Sequence, residues 1–399
     1  MLKASIIIPS YNSKERLYLN LVALNNQTYK SDDIEIIAVD NGSTDGTSEM
    51  LDDFRLKYDL KRVRVESNKG IANGRNEGIK RAKGDLLIFH DSDMIASKNF
   101  IEKHLKAHDN VNDLVVCGNP WKRIYTFYYK GFSNDQLKSL KEKMKIDDPA
   151  SLDNACQLVT EDMINDFELD DYVFDLEIDF IKELKSIVAR YGTDFEKYSL
   201  PWRFCITNNL SVARNKVMKI GMFDSNIFKY GYEDYDLGFR LYKSGCRFKL
   251  AQDIISIHQE HPANFTYLDL MENLNYICNK YNDINHLDII LVCVGDTLSS
   301  KKDDLYNLIK DINKALALRK YNLILEVFLK LLQLYRKKIF DPNEDDSVLV
   351  FAYVAENMPS IVHDVPELIY THELHSFTDQ LCSLLMNLLG IDLEPILRR

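Results

Sequence analysis

A chain of 399 residues has room for two ordinary domains, and 46% hydrophobic residues with few glycines (15) and prolines (9) mark it as globular. A net charge of −11 excludes a general nucleic-acid binder, which needs a basic face to displace counterions. It does not exclude a nucleotide ligand, because a divalent metal neutralises phosphate locally. Seven cysteines with no C-x-x-C pair argue against a zinc site or disulfide framework and for a reducing compartment.

The chain opens into a strand-like run, Ser5 to Ile8, ended by Pro9, without the pattern of a secretion signal. Lys14 to about Asn26 has helical spacing, with Leu17, Leu21 and Leu24 on one face. Ile34 to Val39 reads as a second strand running into the turn Asp40-Asn41-Gly42-Ser43, and Thr44 or Asp45 caps a helix to about Tyr58. A short third strand (Val63 to Val65), a Gly-punctuated helix (70–84) and a fourth strand (Asp85 to Phe89) follow. Strands joined through helices predict an α/β fold with a mostly parallel sheet covered on both faces. Ligands bind such sheets at the carboxyl ends of the strands, here Pro9-Tyr11, Asp40-Ser43 and His90-Asp93.

From about Ser133 to Tyr198 the composition changes. Glu161 to Glu183 holds ten acidic residues and one basic one, which reads as a solvated face or as a holding surface for a basic polypeptide. The sheet pattern resumes after Pro201 to roughly Asp283, and Asp288 to Val294 reads as a further strand, with a turn at Gly295-Leu298. Beyond Ser300 the chain reads as helices. Leu305, Leu308, Ile309, Ile312 and Leu316 form one stripe, and Leu323, Val327, Leu331 and Leu334 another, broken at Asp341-Pro342. Helical stretches near Ser347–Glu356 and Leu374–Leu389 complete it, and no run of 18 apolar residues predicts a membrane-spanning helix.

Asp91-Ser92-Asp93 follows a strand directly, and two carboxylates one residue apart at a strand end are hard oxygen ligands for Mg²⁺ or Mn²⁺. Together with Ser5-Ile-Ile-Ile-Pro9-Ser-Tyr11-Asn12, Val39 to Asp45, Asn68-Lys-Gly70 and Arg75-Asn76-Glu-Gly78, this tripeptide resembles the family 2 glycosyltransferases. The resemblance covers roughly 3–130 and 200–265. It implies a GT-A fold and a UDP-sugar donor, with Pro9 and Tyr11 lining the base pocket, Asp40 bonded to the base, Arg75 near the nucleotide and Asp91 on the ribose or metal. Asn12, Asn41, Gly70 and Ser92 belong to the same donor segments, and Asp93 is the direct metal ligand.

The second half is similar to the acceptor half of chondroitin-polymerase-like and β-1,4-galactosyltransferase-like members, through Trp202 to Arg214, which contains Asn208, and Gly231 to Leu241. Trp202 and Asn208 are assigned to the nucleotide-sugar site. Asp234 takes the catalytic-base position of an inverting transfer, and Glu233 flanks it. His258, in a His-Gln-Glu run, is preferred to His261 as a further ligand of Mn²⁺ or Mg²⁺. The expected division is a catalytic domain over 1–285 (donor half 1–130, acidic insert 131–200, acceptor half 201–285), then an all-α region over 286–399. The expected activity moves a hexose or N-acetylhexosamine to a glycan, or alternatively to a protein or peptide. A nucleotidyltransferase would share the sheet and metal, but Pro9-Ser10-Tyr11-Asn12-Ser13 is not its Gly-rich, basic loop; a dinucleotide-dependent oxidoreductase needs G-x-G-x-x-G after the first strand, and it is absent. A cytoplasmic enzyme without nucleic-acid partners, at most peripheral at the inner face of a membrane, is the expectation, with its oligomeric state open.

Overall fold

All seven residues of β1 (Ala4–Ser10) are buried, as are all seven of β2 (Ile34–Asp40), so both strands read as continuous apolar runs rather than alternating ones. The computed structural model describes residues 2–29, 32–263, 266–298, 302–340 and 346–393. Two compact units divide the chain, Met1–Leu270 and Met271–Arg399.

In the first unit, β1 pairs in parallel with β2, β2 with β3 (Asp59–Arg64), and β1 on its other side with β4 (Leu86–His90). The direction of strand addition therefore reverses at β1, and the crevice above β1 and β4 is where such sheets bind ligands. α1 (Lys14–Asn25) and α4 (Phe100–Ala107) cover one face, packing Leu17, Leu21, Leu24, Phe100 and Ile101 against Ile6, Ile8, Ile36 and Ile88. The short α2 (Thr47–Asp53) adds Leu51 to this core. α3 (Ile71–Arg81) lies on the opposite face, close enough that a Cβ on Gly78 would stand 2.5 Å from Ile7 Cγ2.

The sheet then turns mixed. β5 (Met94–Ala96), β6 (Leu114–Asn119), β7 (Lys122–Ile124), β10 (Phe174–Asp175), β11 (Asn209–Ala213) and the long β12 (Arg247–Gln259) extend it to ten strands in the order β10-β7-β12-β6-β11-β4-β1-β2-β3, with β5 beside β12. β11 runs antiparallel between β4 and β6. A separate two-stranded ladder joins β8 (Phe127–Tyr128) to β9 (Cys156–Gln157).

Residues 131–200 contain α5 (Asn134–Met144), α6 (Glu161–Asp166) and α7 (Asp179–Tyr191). They are not merely a solvated face. Phe132, Leu140, Met144, Val159, Ile164 and Leu169 bury against Leu19, Val22 and Ala23 of α1, so the acidic run is the outer side of a second core. α8 (Arg214–Lys219) and α9 (Glu233–Lys243) follow β11.

α10 (Tyr267–Lys280) precedes the helices of the second unit: α11 (Leu287–Leu298), α12 (Lys302–Leu318), α13 (Asn322–Phe340), α14 (Ser347–Glu356), α15 (Met358–Tyr370) and α16 (His375–Leu389). The expected strand at Asp288–Val294, with its turn at 295–298, is instead part of α11. Leu287, Ile289, Ile290, Leu291 and Val294 are all buried, and a short apolar run buried all round has no periodicity to separate strand from helix. α15 went unread because Pro359 and Pro366 break its pattern; Pro359 stands in its first turn, where the missing N–H costs nothing. Both expected stripes face inward, with Ile309, Ile312, Val327 and Leu331 fully buried or nearly so and Phe328 meeting Phe377 edge to face at 5.1 Å. The expected break at Asp341-Pro342 lies outside the described residues, after α13 ends at Phe340.

Candidate active site

Three strand ends build the donor side. Pro9 lies inside β1, opposite Val39 of β2, and Tyr11 just beyond it keeps 47% of its surface exposed, so its ring face is open to a flat ligand. Asn12 takes a left-handed conformation (φ 48°); its N–H donates to Ser43 Oγ at 3.0 Å and its side-chain oxygen accepts from Thr44 N at 2.9 Å, tying the two turns together. Asp40 is buried and accepts from Ser43 N (2.9 Å) and from the Ser48 hydroxyl. Asn41 donates to Asn68 Oδ1 (3.0 Å) and to the Gly70 carbonyl (3.1 Å), while its own buried side-chain oxygen meets no partner. Gly70 sits at φ 84°, and a Cβ there would stand 2.3 Å from the Phe228 carbonyl oxygen, so only glycine lets residues 224–231 close over this edge. Ser92 is held by a hydroxyl chain, Ser92 to Ser13 (2.9 Å) to Ser10 (2.9 Å).

Arg75 is at the centre. Its guanidinium is buried; Nη2 donates to both Asp91 oxygens (2.9 and 3.2 Å), and Nη1 reaches Glu233 at 3.1 Å and Asp234 at 3.4 Å. Expected near the nucleotide, it also joins the donor motif to the acceptor half. Burial alone would weaken its charge, but Asp91, Asp234 and Glu233 together hold it firmly protonated. Removing Arg75 would leave three carboxylates without their shared cation, whereas removing one carboxylate leaves Arg75 still paired with the other two.

Asp234 accepts from the backbone N–H of Thr207 at 3.1 Å and from its hydroxyl at 2.5 Å. Burial, and next the adjacent Glu233 carboxylate, push its carboxyl up to about 7, against the opposing pull of Arg75 and the Thr207 hydroxyl. Glu233 is buried and also accepts from Gly231 N at 3.0 Å. Trp202, expected at the donor site, is fully buried against Phe239 (5.1 Å) and Tyr235 (6.1 Å) and serves as the seat of α9. Asn208 follows Thr207, with a buried side-chain oxygen that has no partner.

Asp93 lies on the other side of the crevice. His261 Nε2 stands 3.0 Å and His258 Nε2 3.7 Å from Asp93 Oδ2, and the single ligand atoms the three residues offer lie within 4.8 Å of one another. Asp91, engaged by Arg75, is not in this cluster. The sequence favoured His258 over His261; the fold brings both. Two imidazoles and a carboxylate fit a first-row divalent ion such as Mn²⁺. Burial would raise the Asp93 carboxyl, but His258, His261 and Arg16 outweigh it and hold the group well below the usual carboxylate range.

Several residues at this site escaped the sequence reading. Thr207 carries no motif. Tyr230 is one: burial, and then the charges of Glu233, Asp234, Asp91 and Asp93, push its phenol well above its ordinary range. His90, which the sequence already placed beside the metal motif, is fully buried and meets two residues that the sequence did not single out, Asn20 at 3.1 Å and Ser256 at 2.8 Å; Asn20 also donates to the Asp91 carbonyl at 2.8 Å. Burial holds His90 neutral, down to about 3, so it braces the end of β4 against α1 and β12 rather than carrying charge.

The model for "Glycosyl transferase family 2" matches residues 5–158. YfnE of Bacillus subtilis (strain 168), an uncharacterized glycosyltransferase, is 41% identical over 405 residues, 99% of this chain and 99% of that protein. The chain belongs to the family 2 glycosyltransferases. The glycosyltransferase is also 26% identical to a chondroitin synthase of Escherichia coli over 260 residues, which is 65% of this chain but only 35% of that larger protein. Among solved structures, Staphylococcus aureus TarS 1–349 in complex with UDP-GlcNAc aligns over 96% of this chain and 90% of that one, at 14% identity and a TM-score of 0.46. The mixed sheet, with its parallel β3-β2-β1-β4 half and a helical C-terminal region, is the GT-A arrangement of this glycosyltransferase. Among its described residues no helix is long and apolar enough to cross a membrane.

Proposed function

We propose that this glycosyltransferase moves a hexose or N-acetylhexosamine from a UDP-sugar to a glycan acceptor, with inversion at the anomeric carbon. The observation that carries the reading is the buried cluster Arg75–Asp91–Glu233–Asp234, which ties the donor motif to a carboxylate of raised proton affinity. Tyr11 stacks the uracil, Asp40 and Asn41 hold the base edge, and Asp91, oriented by Arg75, meets the ribose. Asp234 accepts the proton of the acceptor hydroxyl as that oxygen attacks the anomeric carbon from the face opposite the diphosphate. The bond from that carbon to the diphosphate oxygen breaks, and the nucleotide leaves with the electron pair. A divalent ion at Asp93, when bound, supplies charge neutralisation for the departing diphosphate. The chondroitin synthase relative supports a sugar, rather than a peptide, as acceptor.

The test is a donor panel read by nucleotide release, run on the full chain and on Asp234→Asn. Wild type should hydrolyse one UDP-sugar slowly without acceptor, and Asp234→Asn should bind UDP undiminished while losing transfer about 10²–10⁴-fold. Undiminished transfer by Asp234→Asn, or a preference for NAD or GDP over UDP, would overturn the assignment.

A further inference from the structure

We propose that Arg16 is a phosphate-binding residue of the donor site: its guanidinium, set by the Tyr129 hydroxyl, receives the terminal phosphate of the UDP leaving group. The ligand is taken from the UDP-sugar reading, on which the proposal rests; the state of Arg16 stands by itself.

Among the described residues, Arg16, Arg75 and Arg203 are each more than nine-tenths buried, at 7%, 1% and 8% exposure. Two of them are neutralised. Arg75 is paired with Asp91, Glu233 and Asp234, and Arg203 donates to both oxygens of Glu183 at 2.5 and 3.2 Å. Arg16 forms no ion pair with any described residue; its Nη1 donates to the neutral Tyr129 hydroxyl at 3.0 Å, and its guanidinium carbon stands 5.5 Å from the centre of the same ring. Nε is buried without a partner, and Nη2, which makes no bond, keeps contact with solvent. A buried cation with one neutral acceptor is an unfavourable state, because most of its donors have lost water and gained nothing.

The first turns of α1 are stitched to the strand end that carries Asp93. Ser13 Oγ meets Ser92 Oγ at 2.9 Å, and Asn20 Nδ2 donates to the Asp91 carbonyl at 2.8 Å. Gln259 joins the two directly: its Nε2 donates to the Arg16 carbonyl at 2.9 Å and its backbone N–H to the Asp93 carbonyl at 2.7 Å. Helical side chains lean toward the helix N-terminus, and α1 starts just beyond the end of β1, so Arg16 leans toward the crevice. Charge agrees with this placement. Burial would raise the Asp93 carboxyl, but His258, His261 and then Arg16 hold it low; burial raises the Tyr129 phenol, Arg16 opposes it, and Asp93 adds to it. Tyr129 is itself fixed by the buried rings of Phe132 (5.7 Å) and Phe127 (6.2 Å).

Phosphate is the chemistry that completes this group. A guanidinium fork matches phosphate oxygens and tolerates burial better than an ammonium does. With the base over the ends of β1 and β2, a nucleotide crossing toward β4 brings its second phosphate, not its first, to Asp93 and Arg16. The acceptor enters beside Asp234, on the other side of the crevice. As the bond to the anomeric carbon breaks, its electron pair goes to the diphosphate oxygen, and the charge that grows on the terminal phosphate meets the unpaired cation.

The test compares UDP with UMP, which lacks the terminal phosphate, by calorimetric titration of the full chain in saturating Mn²⁺ and again in EDTA. Wild type should prefer UDP in both. Arg16→Met, which keeps the apolar stem, should weaken UDP by at least about tenfold and UMP by less than about twofold, and should erase the preference in EDTA. Arg16→Lys should recover part of the loss, since it keeps the charge without the fork. Without nucleotide, Arg16→Met should melt no lower than wild type, because it removes an unpaired buried charge. UDP and UMP weakened equally or not at all, a wild type without preference in EDTA, or a lower melting point of the free variant overturns the assignment and leaves the UDP-sugar reading intact. Unchanged UDP affinity with a raised acceptor KM overturns it too, and gives Arg16 to an anionic acceptor. A wild type that binds neither nucleotide removes the donor reading, and this assignment with it.

Discussion

Asp234 shows how one residue's surroundings set both its chemistry and its cost. Its carboxyl is raised from an ordinary 3.8 to about 7 by burial and by Glu233, so below that pH it already holds the proton it must accept from the acceptor. kcat/KM should therefore climb about tenfold per pH unit up to roughly 7 and then level off. The groups facing it are Glu233 on its own helix, Arg75 from α3, Asp91 from the end of β4, Thr207 and Tyr230. Thr207→Val removes a donor that favours the ionised form, so the rising limb should move to higher pH, and Thr207→Ser should restore it. An unmoved limb would mean that Thr207 does not tune the base. Folding is linked to the same proton. With the folded value above the unfolded one, the favourable contribution is full below about pH 4 and is lost as pH rises through 7. Asp234→Asn should accordingly melt no lower than wild type at pH 8, and a markedly lower melting point would show that ionisation is not the costly state.

At the scale of elements, two close approaches hold the crevice together. Residues 224–231 lie against α3 through Gly70, whose positive φ and 2.3 Å clearance from the Phe228 carbonyl exclude a side chain. Gly70→Ala should cost at least ~1–3 kcal/mol in urea unfolding and weaken UDP binding, because the start of α3 must move. A fully active, fully stable variant would refute that account. α9 rests on Trp202, and Trp202→Ala should destabilise by about 3–5 kcal/mol through loss of packing under the helix. Its kcat should fall more than its UDP affinity, since Trp202 supports the base and touches no exposed surface; a loss confined to UDP binding would restore it to the donor site. Secondary structure was legible where elements are amphipathic or bounded by turn residues, as in β1, β2, α1 and α3. It failed at α11, whose apolar run Ile289–Val294 has no clear period, and at α15, where two prolines stand in a helix that buries only Ile361, Val365 and Leu368.

For the whole molecule, a net charge of −11 creates a field that concentrates divalent cations and repels nucleotide. Raising salt from about 0.05 to 0.3 M should weaken Mn²⁺ binding and, with metal saturating, lower the KM for the donor. Salt effects of the opposite sign would locate the relevant charge elsewhere. The strand-end motifs were legible because each is a local signal: Tyr11, Asp40, Asp91 and Asp93 all follow apolar strands, and parallel strands deliver their carboxyl ends to one edge. What no local pattern contains is which distant residues meet. Arg75 reaches Glu233 across 158 positions and His261 reaches Asp93 across 168. Those meetings follow from the placement of β11 and β12 beside β4 and β6, which is settled by burial of the whole sheet. The sequence by itself thus determined the donor edge and the family. Only the tertiary structure decided the partner of Arg75, the environment that raises the Asp234 carboxyl, and the second histidine beside Asp93, because these depend on long-range packing and desolvation rather than on neighbours along the chain.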